Sequence, residues 1–355
     1  SLPDGIAAVA LVLAQERLRS NAADTVAYLL EEGIAVKIIS GDNPRTVSRI
    51  AASAGVPGAE APADARQLTD AHMLDAYMES ASVFGRVMPE QKSAMVASLQ
   101  RAGHTVCVCG DGVNDVLAIK QADLGVAMGS GASAARAVAQ VVLLDDEFAT
   151  VPLMMAEGRR VIANAERVAN LFLTKSVWAM VLAVAIAVLG TEYPFLPRHI
   201  TLVGSLAIGI PAFFLALGRN TRRYTPGFVR RVLRFAFPAG GVMAVAVLLV
   251  FLLSRSAGLS VADARTVSTL LLLAVSLSVI ALLEWPLART GVAIVATMAT
   301  GGVLAFALPF TRAFFALSVL QPAWILAALA GSALTAGAIA LLTAGVRRET
   351  RAVGR

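Results

Sequence analysis

Lysine is nearly absent from this chain of 355 residues: of 30 basic side chains only four are lysines, at 37, 92, 120 and 175, and the rest are arginines. Charge as a whole is sparse, at 15% of residues, against 57% hydrophobic residues and a mean hydropathy of +0.72. That balance excludes an ordinary soluble protein. Cysteine is reduced to two positions, Cys107 and Cys109. With no second pair, a four-cysteine zinc site and a disulfide framework are both excluded, and the two thiols are expected to be reduced and buried in a strand. No stripe of Lys and Arg interleaved with aromatics occurs, which excludes a nucleic-acid surface. No apolar segment resembling a signal peptide opens the chain, and the first residue is Ser1, so the sequence reads as a piece of something longer.

What is present falls into two parts. Charge is frequent up to about residue 165, whereas residues 168 to 345 are dominated by long uncharged runs. The division expected is a soluble domain over 1–150 and a membrane domain over 151–355. Runs long enough to span a bilayer fall near 168–190, 198–218, 232–253, 266–287, 291–309 and 320–345. Arg219, Arg222, Arg223, Arg230 and Arg231 crowd one connection, and Arg347, Arg348, Arg351 and Arg355 the tail. By the positive-inside rule both lie on the cytosolic side, and six spans return the tail to the side of the soluble domain. The lipid bilayer is thus the first partner the sequence names.

Within the first part, strand-like and helix-like stretches alternate. Ile6–Leu13 and Ala35–Ile39 read as strands around a helix from Ala22 to Glu32. Helices from Pro44 and Pro89 follow, then strands at Val106–Cys109, Val126–Met128 and Val141–Leu144. Such alternation means a parallel sheet covered on both faces. The strand at 106–109 runs into Gly110-Asp111-Gly112-Val113-Asn114-Asp115. Here glycines make a tight turn cheaply, and clustered Asp and Asn oxygens gather at the C-terminal edge of a strand, where open α/β sheets bind ligands. Those oxygens suit a hard cation such as Mg²⁺, which recruits phosphate. Ser40-Gly41-Asp42 offers a hydroxyl and backbone N–H groups at a helix start, suited to phosphate. Arg86 and Lys92 supply two cations around a helix that begins with proline.

The stretch from Gly110 to Gly129 resembles the hinge motif of the P-type cation-transporting ATPases. Ser40-Gly41-Asp42 is similar to that family's Thr-Gly-Asp segment, Phe84 to Lys92 to its conserved-lysine segment, and Glu16-Arg17-Leu18-Arg19 to a variant of its Asp-Pro-x-Arg segment. Gly158–Lys175 and Ile208–Ala212 look closest to the actinobacterial E-type, calcium-associated members. The resemblance implies a haloacid dehalogenase-like, Rossmann-type phosphorylation domain, incomplete at its start, fused to the last six of ten membrane helices in a bacterial plasma membrane. It also implies ATP-driven transport of a cation, Ca²⁺ or another, through an aspartyl phosphate. Lys92 would neutralise that phosphate, Asp111 with Asp115 would serve Mg²⁺, Asn114 and Asp115 would hold the phosphorylated loop, and Ser40 would bind a phosphoryl oxygen.

No Asp-Lys-Thr-Gly-Thr segment occurs, so the family's nucleophile lies outside this chain. The actuator, most of the ATP-binding apparatus and the first four helices are expected in a missing N-terminal half. The alternatives are a truncated, inactive relic or half of a split gene, and, against the absent nucleophile, a tethered phosphatase. Besides Arg198, His199 and Arg234 at the ends of their runs, the ionisable residues in the spans are Lys175 and Glu284. Lys175 reads either as functional or as a snorkelling anchor, and Glu284, beside Trp285, as interfacial. Pro211 should break a helix and free carbonyls for an ion. Thr174, Ser176, Thr201 and Ser205 are the remaining oxygen candidates.

Overall fold

The computed structural model describes residues 18–68, 70–218, 225–285, 289–346 and 348. The strand expected at Ile6–Leu13, residues Glu16 and Arg17, and the arginines 219, 222, 223, 347, 351 and 355 lie outside them. Two compact units divide near Met155.

The first unit carries two parallel sheets. One holds β1 (Ile38–Ile39), β2 (Ala63–Asp64) and β3 (Val83–Gly85) in the order β1-β3-β2. The other holds β4 (Cys107–Gly110), β5 (Leu124–Met128) and β6 (Val141–Leu143) in sequential order. Helices α1 (Ala22–Glu31), α2 (Pro44–Ser53), α3 (Ala71–Ser80), α4 (Pro89–Arg101), α5 (Val116–Gln121) and α6 (Ser133–Val138) connect them. Each sheet is covered on both faces. Val26, Val47, Ala51 and Val83 form one cluster on the first sheet, and Met78, Phe84 and Met95 another. Leu29 and Val151 pack on Val126 and Leu143 of the second, whose other face meets Ile119 and Ala135 through Ala127.

The single sheet that the alternation suggests is therefore two among the described residues. No described strand joins β1 to β4, so each keeps one unpaired edge. The expected strand at Ala35–Ile39 is hydrogen-bonded as a strand only over its last two residues for the same reason.

The second unit is helical. It consists of α7 (Thr150–Leu189), which begins in the first unit, α8 (Pro197–Gly204), α9 (Ile210–Leu217), α10 (Phe228–Ser256), α11 (Val261–Leu283), α12 (Arg289–Ala307), α13 (Pro309–Phe315) and α14 (Pro322–Leu342). Six segments are long and apolar enough to cross a membrane, with α8 and α9 counted as one, and they coincide with the six expected runs. Of these, α11 is the most enclosed. Trp178 and Leu182 of α7, Phe235 and Met243 of α10, Leu271, Leu272 and Ile280 of α11 and Ile339 of α14 fill the core. Gly240 lets α10 approach α7, because a Cβ there would lie 2.7 Å from Val177 Cβ. Hydroxyls of Ser254, Thr266, Ser268, Thr269, Thr335 and Thr343 donate to carbonyls of their own helix. An apolar surrounding favours that arrangement.

Pro211 widens its helix instead of breaking it. Ser205–Gly209 forms a π-helical turn between α8 and α9. A proline there supplies no N–H and its ring crowds the carbonyl four residues back, and a wider turn relieves both.

Candidate phosphate and metal site

Three loops supply the expected site residues of the first unit. At the end of β1, Ser40 N–H donates to Phe84 O and Val87 N–H to Ser40 O, which ties the loop to β3. Ser40 Oγ accepts from Asp42 N–H at 3.2 Å and donates to Asp42 Oδ2 at 3.1 Å. The N-cap of α2 is Asn43, whose Oδ1 accepts from Arg45 N–H. Gly85 is required by the close approach of α2, since a Cβ on it would stand 2.5 Å from Pro44 Cα.

Arg86 follows with φ of +56°, a conformation that costs a non-glycine residue energy. Its N–H donates to Asp42 O, and its guanidinium donates to Asp64 Oδ2 at 2.9 Å. The second cation expected to face phosphate is thus engaged by the end of β2. Asp64 also holds Arg66, and these hydrogen bonds, Arg66 first, keep its carboxyl well below the usual carboxylate range. Sequence reasoning missed Asp64. Its position two residues before Arg66 is a local signal, but its pairing with Arg86 spans 22 residues and has none.

Lys92, in the first turn of α4, reaches the loop after β4. Its Nζ lies 2.6 Å from Asp115 Oδ1, with the two side chains 14% and 16% exposed. Asp115 Oδ2 accepts from Gly112 N–H at 3.1 Å. Gly110 makes room, because a Cβ on it would lie 2.7 Å from Asp115 Cβ. Asp111 and Asn114 remain exposed, and the Asp111 carbonyl accepts from Ala132 N–H at 2.7 Å. Among the described residues no group of three His, Cys, Asp or Glu side chains could hold a metal ion. Asp115 is spent on Lys92, so Asp111 is the free carboxylate. That donor set fits a Mg²⁺ ion that keeps several waters and takes its other ligands from a phosphate.

Between β1 and β4 lies a cavity of about 650 Å³, lined by Ile39, Lys92, Cys107, Cys109 and Asp115 among others. Both cysteines are exposed there, contrary to the expectation of a buried pair, because no described strand closes over the edge of β4 beside the cavity. The protein around the cavity still desolvates a thiolate, and burial pushes the Cys109 thiol up to about 11.

In the second unit Thr174 is buried with a hydroxyl that has no hydrogen-bond partner among the described residues. Ser176 and Thr201 are exposed and donate to Phe172 O and Pro197 O of their own helices. Ser205 is exposed, Pro211 is buried, and the Lys175 amine lies 3.8 Å from where a Gly204 Cβ would stand.

Residues 4–123, which include the Gly110–Asp115 loop, match the model of the haloacid dehalogenase-like hydrolases. A calcium-transporting ATPase CtpE of Mycolicibacterium smegmatis is 43% identical over 330 residues, 89% of this chain and 42% of that protein. Its namesake from Mycobacterium tuberculosis is 42% identical over 352 residues, 95% of this chain and 44% of that protein. The chain is a homologue of the cation-transporting ATPases. A probable cation-transporting ATPase exp7 of Streptococcus pneumoniae is 38% identical over 272 residues, 74% of this chain and 35% of that protein. The chain thus spans less than half the length of each of these ATPases.

Compared with its sequence reading, this ATPase homologue has one more polar cluster, at the start of its apolar helices. Asn164 Nδ2 donates to Ala216 O and Gly218 O at 2.9 Å each. Arg231 grips Glu166 with two nitrogens, at 3.0 and 2.9 Å. Arg167 Nε stands 3.2 Å from Glu284 Oε1, an ion pair without hydrogen-bond alignment. Three successive polar positions of α7 thereby tie it to α9, α10 and α11. Glu284, expected merely at an interface, is one of the partners. Two adjacent opposite charges just before an apolar run were the available signal.

Proposed function

We propose that this chain is the C-terminal portion of an ATP-driven cation pump that works through an aspartyl phosphate. The nucleophile, on this reading, is carried by a segment outside the chain. The cavity between β1 and β4 carries the proposal. Among the described residues it presents two unpaired strand edges, and the Lys92–Asp115 pair lies in its wall. A further parallel strand seated there would join the two sheets and bring its C-terminal residue to Lys92.

In that arrangement Lys92 neutralises charge on the phosphoryl group. The Ser40 hydroxyl and the Gly41 N–H bind its oxygens, with Asp42 and Arg86 fixing the loop. Asp111 holds Mg²⁺, which when bound supplies charge stabilisation to phosphoryl transfer. Asn114 and Asp115 hold the incoming loop. ATP is bound mainly by a domain outside the chain. Thr174, Ser176, Thr201, Ser205 and the carbonyls around Pro211 are the proposed ion pathway, with Ca²⁺ the cation that the mycobacterial relatives' name suggests. On this reading the first unit and the tail face the cytosol of a bacterium, the side that the arginines of the α9–α10 connection and the tail favour.

The test uses the complete protein. Asp111→Asn should abolish the acid-stable phosphoenzyme formed from ATP while leaving expression and membrane insertion unchanged. Phosphorylation at the parent level in that variant would remove the assignment.

A further inference from the structure

We infer that His199 is an acid-released latch between the first turn of α8 and the turn that ends α13, so that acidity at this end of the membrane bundle loosens the helix pair α8–α9. The contact stands on geometry alone, and its consequence for transport rests on the reading of the chain as part of a pump.

Histidine is scarce, with three in 355 residues, and His199 is the one in the membrane unit. It is fully buried. Two residues in from the start of α8, about 3 Å along the axis, it lies at the margin of its span and not at the middle.

Its two ring nitrogens face two different segments. Leu196 N–H, at the N-cap of α8, donates to Nδ1 at 3.2 Å, and Nε2 stands 3.3 Å from Ala316 O in the turn that ends α13. An N–H donates only to a bare ring nitrogen, and a carbonyl only accepts. The ring therefore carries its proton on Nε2 and is neutral. A second proton would have to sit on Nδ1, donor against donor at Leu196, and the ring could stay only by giving up that contact.

The far side of the latch is held under tension. Ala316 has φ of +54°, a left-handed conformation that costs a residue with a Cβ energy. Its neighbours keep it there. Arg198 donates to Phe314 O at 3.3 Å, Ser318 N–H donates to Thr266 Oγ1 of α11 at 3.0 Å, and Leu317 packs with Leu202 of α8. The turn thus closes on α8 and α11 together. Among the side chains that close it, the imidazole is the one whose charge changes between about pH 5 and pH 8.

The charged groups of this end offer an imidazolium no partner. Those that act on the ring are Arg265 of α11 and Arg198 of its own helix, and α13 adds Arg312. The Arg265 guanidinium donates to Tyr193 O. The carboxylates are engaged elsewhere: Glu192 lies 3.8 Å from Arg255, and Asp263 accepts from Ser260 Oγ. Among the described residues no acidic side chain pairs with His199.

The test is hydrogen exchange on the complete protein in lipid nanodiscs. It needs no turnover, so it is separate from the phosphoenzyme assay that decides the pump reading. Lowering the pH from about 7.5 to about 5.5, with rates corrected for intrinsic pH dependence, should speed exchange over residues 196–200 and 316–318 at least about five-fold, the effect of losing one ordinary hydrogen bond. His199→Gln, whose side chain stays neutral, should show no acid step whatever its rate at the higher pH, and His199→Asn serves in the same way if the first variant fails to assemble. An unchanged rate in the parent would overturn the inference, and so would an acid step of the same size in either variant. In vesicles acidified only on the side of this end, cation transport by the parent should fall and that by His199→Gln should hold; an equal fall in both would overturn the consequence for transport. Absence of transport at either pH would count against the pump reading and leave the exchange result to decide the latch.

Discussion

Replacing Asp115 with Ala removes two contacts at once: the 2.6 Å ion pair with Lys92 and the 3.1 Å acceptor for Gly112 N–H. A fully buried pair costs about 3–5 kcal/mol when one partner is deleted, and an exposed pair about 0.2–1 kcal/mol. Here both side chains are about one-seventh exposed and face a cavity that admits water, which places the cost between those limits, at about 2–3 kcal/mol. For a unit of this size that is a fall of roughly 5–10 °C in thermal midpoint. Lys92→Met leaves the aspartate able to recruit water from the cavity and should cost less, about 1–2 kcal/mol. If the two groups act as a pair, the double variant is less damaged than the sum of the singles, by about 1–2 kcal/mol. The assay is thermal unfolding of the detergent-solubilised chain, with hydrogen exchange over residues 107–121 as the local readout, since a two-unit chain need not unfold in one step. Strict additivity, within about 0.3–0.5 kcal/mol, would refute the reasoning.

Two further predictions concern the same loops. Gly85→Ala forces a methyl group to within 2.5 Å of the Pro44 backbone, so α2 or β3 must move. The cost should be about 1–3 kcal/mol or more, and exchange at the Ser40 amide, bonded to Phe84 O, should rise with it. Cys109, exposed yet with a thiol raised from 9.0 to about 11, should carry roughly 100-fold less thiolate near pH 8 than an ordinary cysteine. Alkylation by iodoacetamide should therefore be slow in the folded chain and accelerate on denaturation, and equal rates in both states would contradict the desolvation argument.

Much of this arrangement is legible in the sequence because the signals are local. Proline at the first turn of α2 and of α4, and the glycines around Asp111, mark where loops leave strands at the sheet edge. Continuous apolar runs mark six membrane segments within a few residues, except that the first helix already begins at Thr150, ahead of its run at 168–190. What stays hidden is short or non-local. A two-residue strand at Ala63–Asp64 and a three-residue strand at Val83–Gly85 have no periodicity to detect, and α3 between them is announced only by Asp70, whose carboxylate caps His72 and Met73. The pairing of Arg86 with Asp64 turns an expected phosphate ligand into a loop support, and no pattern of spacing foretells it. The exposure of Cys107 and Cys109 is a third case. Their apolar neighbours Val106 and Val108 predict burial, and burial fails because the edge of β4 has no described neighbour to close over it. The membrane cluster at Asn164, Glu166 and Arg167 is a fourth, since polar residues near the start of a span look like an interface until their partners on three other helices are placed.

The central claim is that the phosphorylation chemistry of this chain is completed by a segment it does not contain. The most direct measurement labels the purified 355-residue chain with γ-³²P-ATP and Mg²⁺, alone and joined to the remaining portion of the protein. The account predicts no acid-stable, hydroxylamine-sensitive label on the chain alone. In the complete protein it predicts label on an aspartate of the added portion, abolished by Asp111→Asn. Hydroxylamine-sensitive label on a residue of the isolated chain would contradict it.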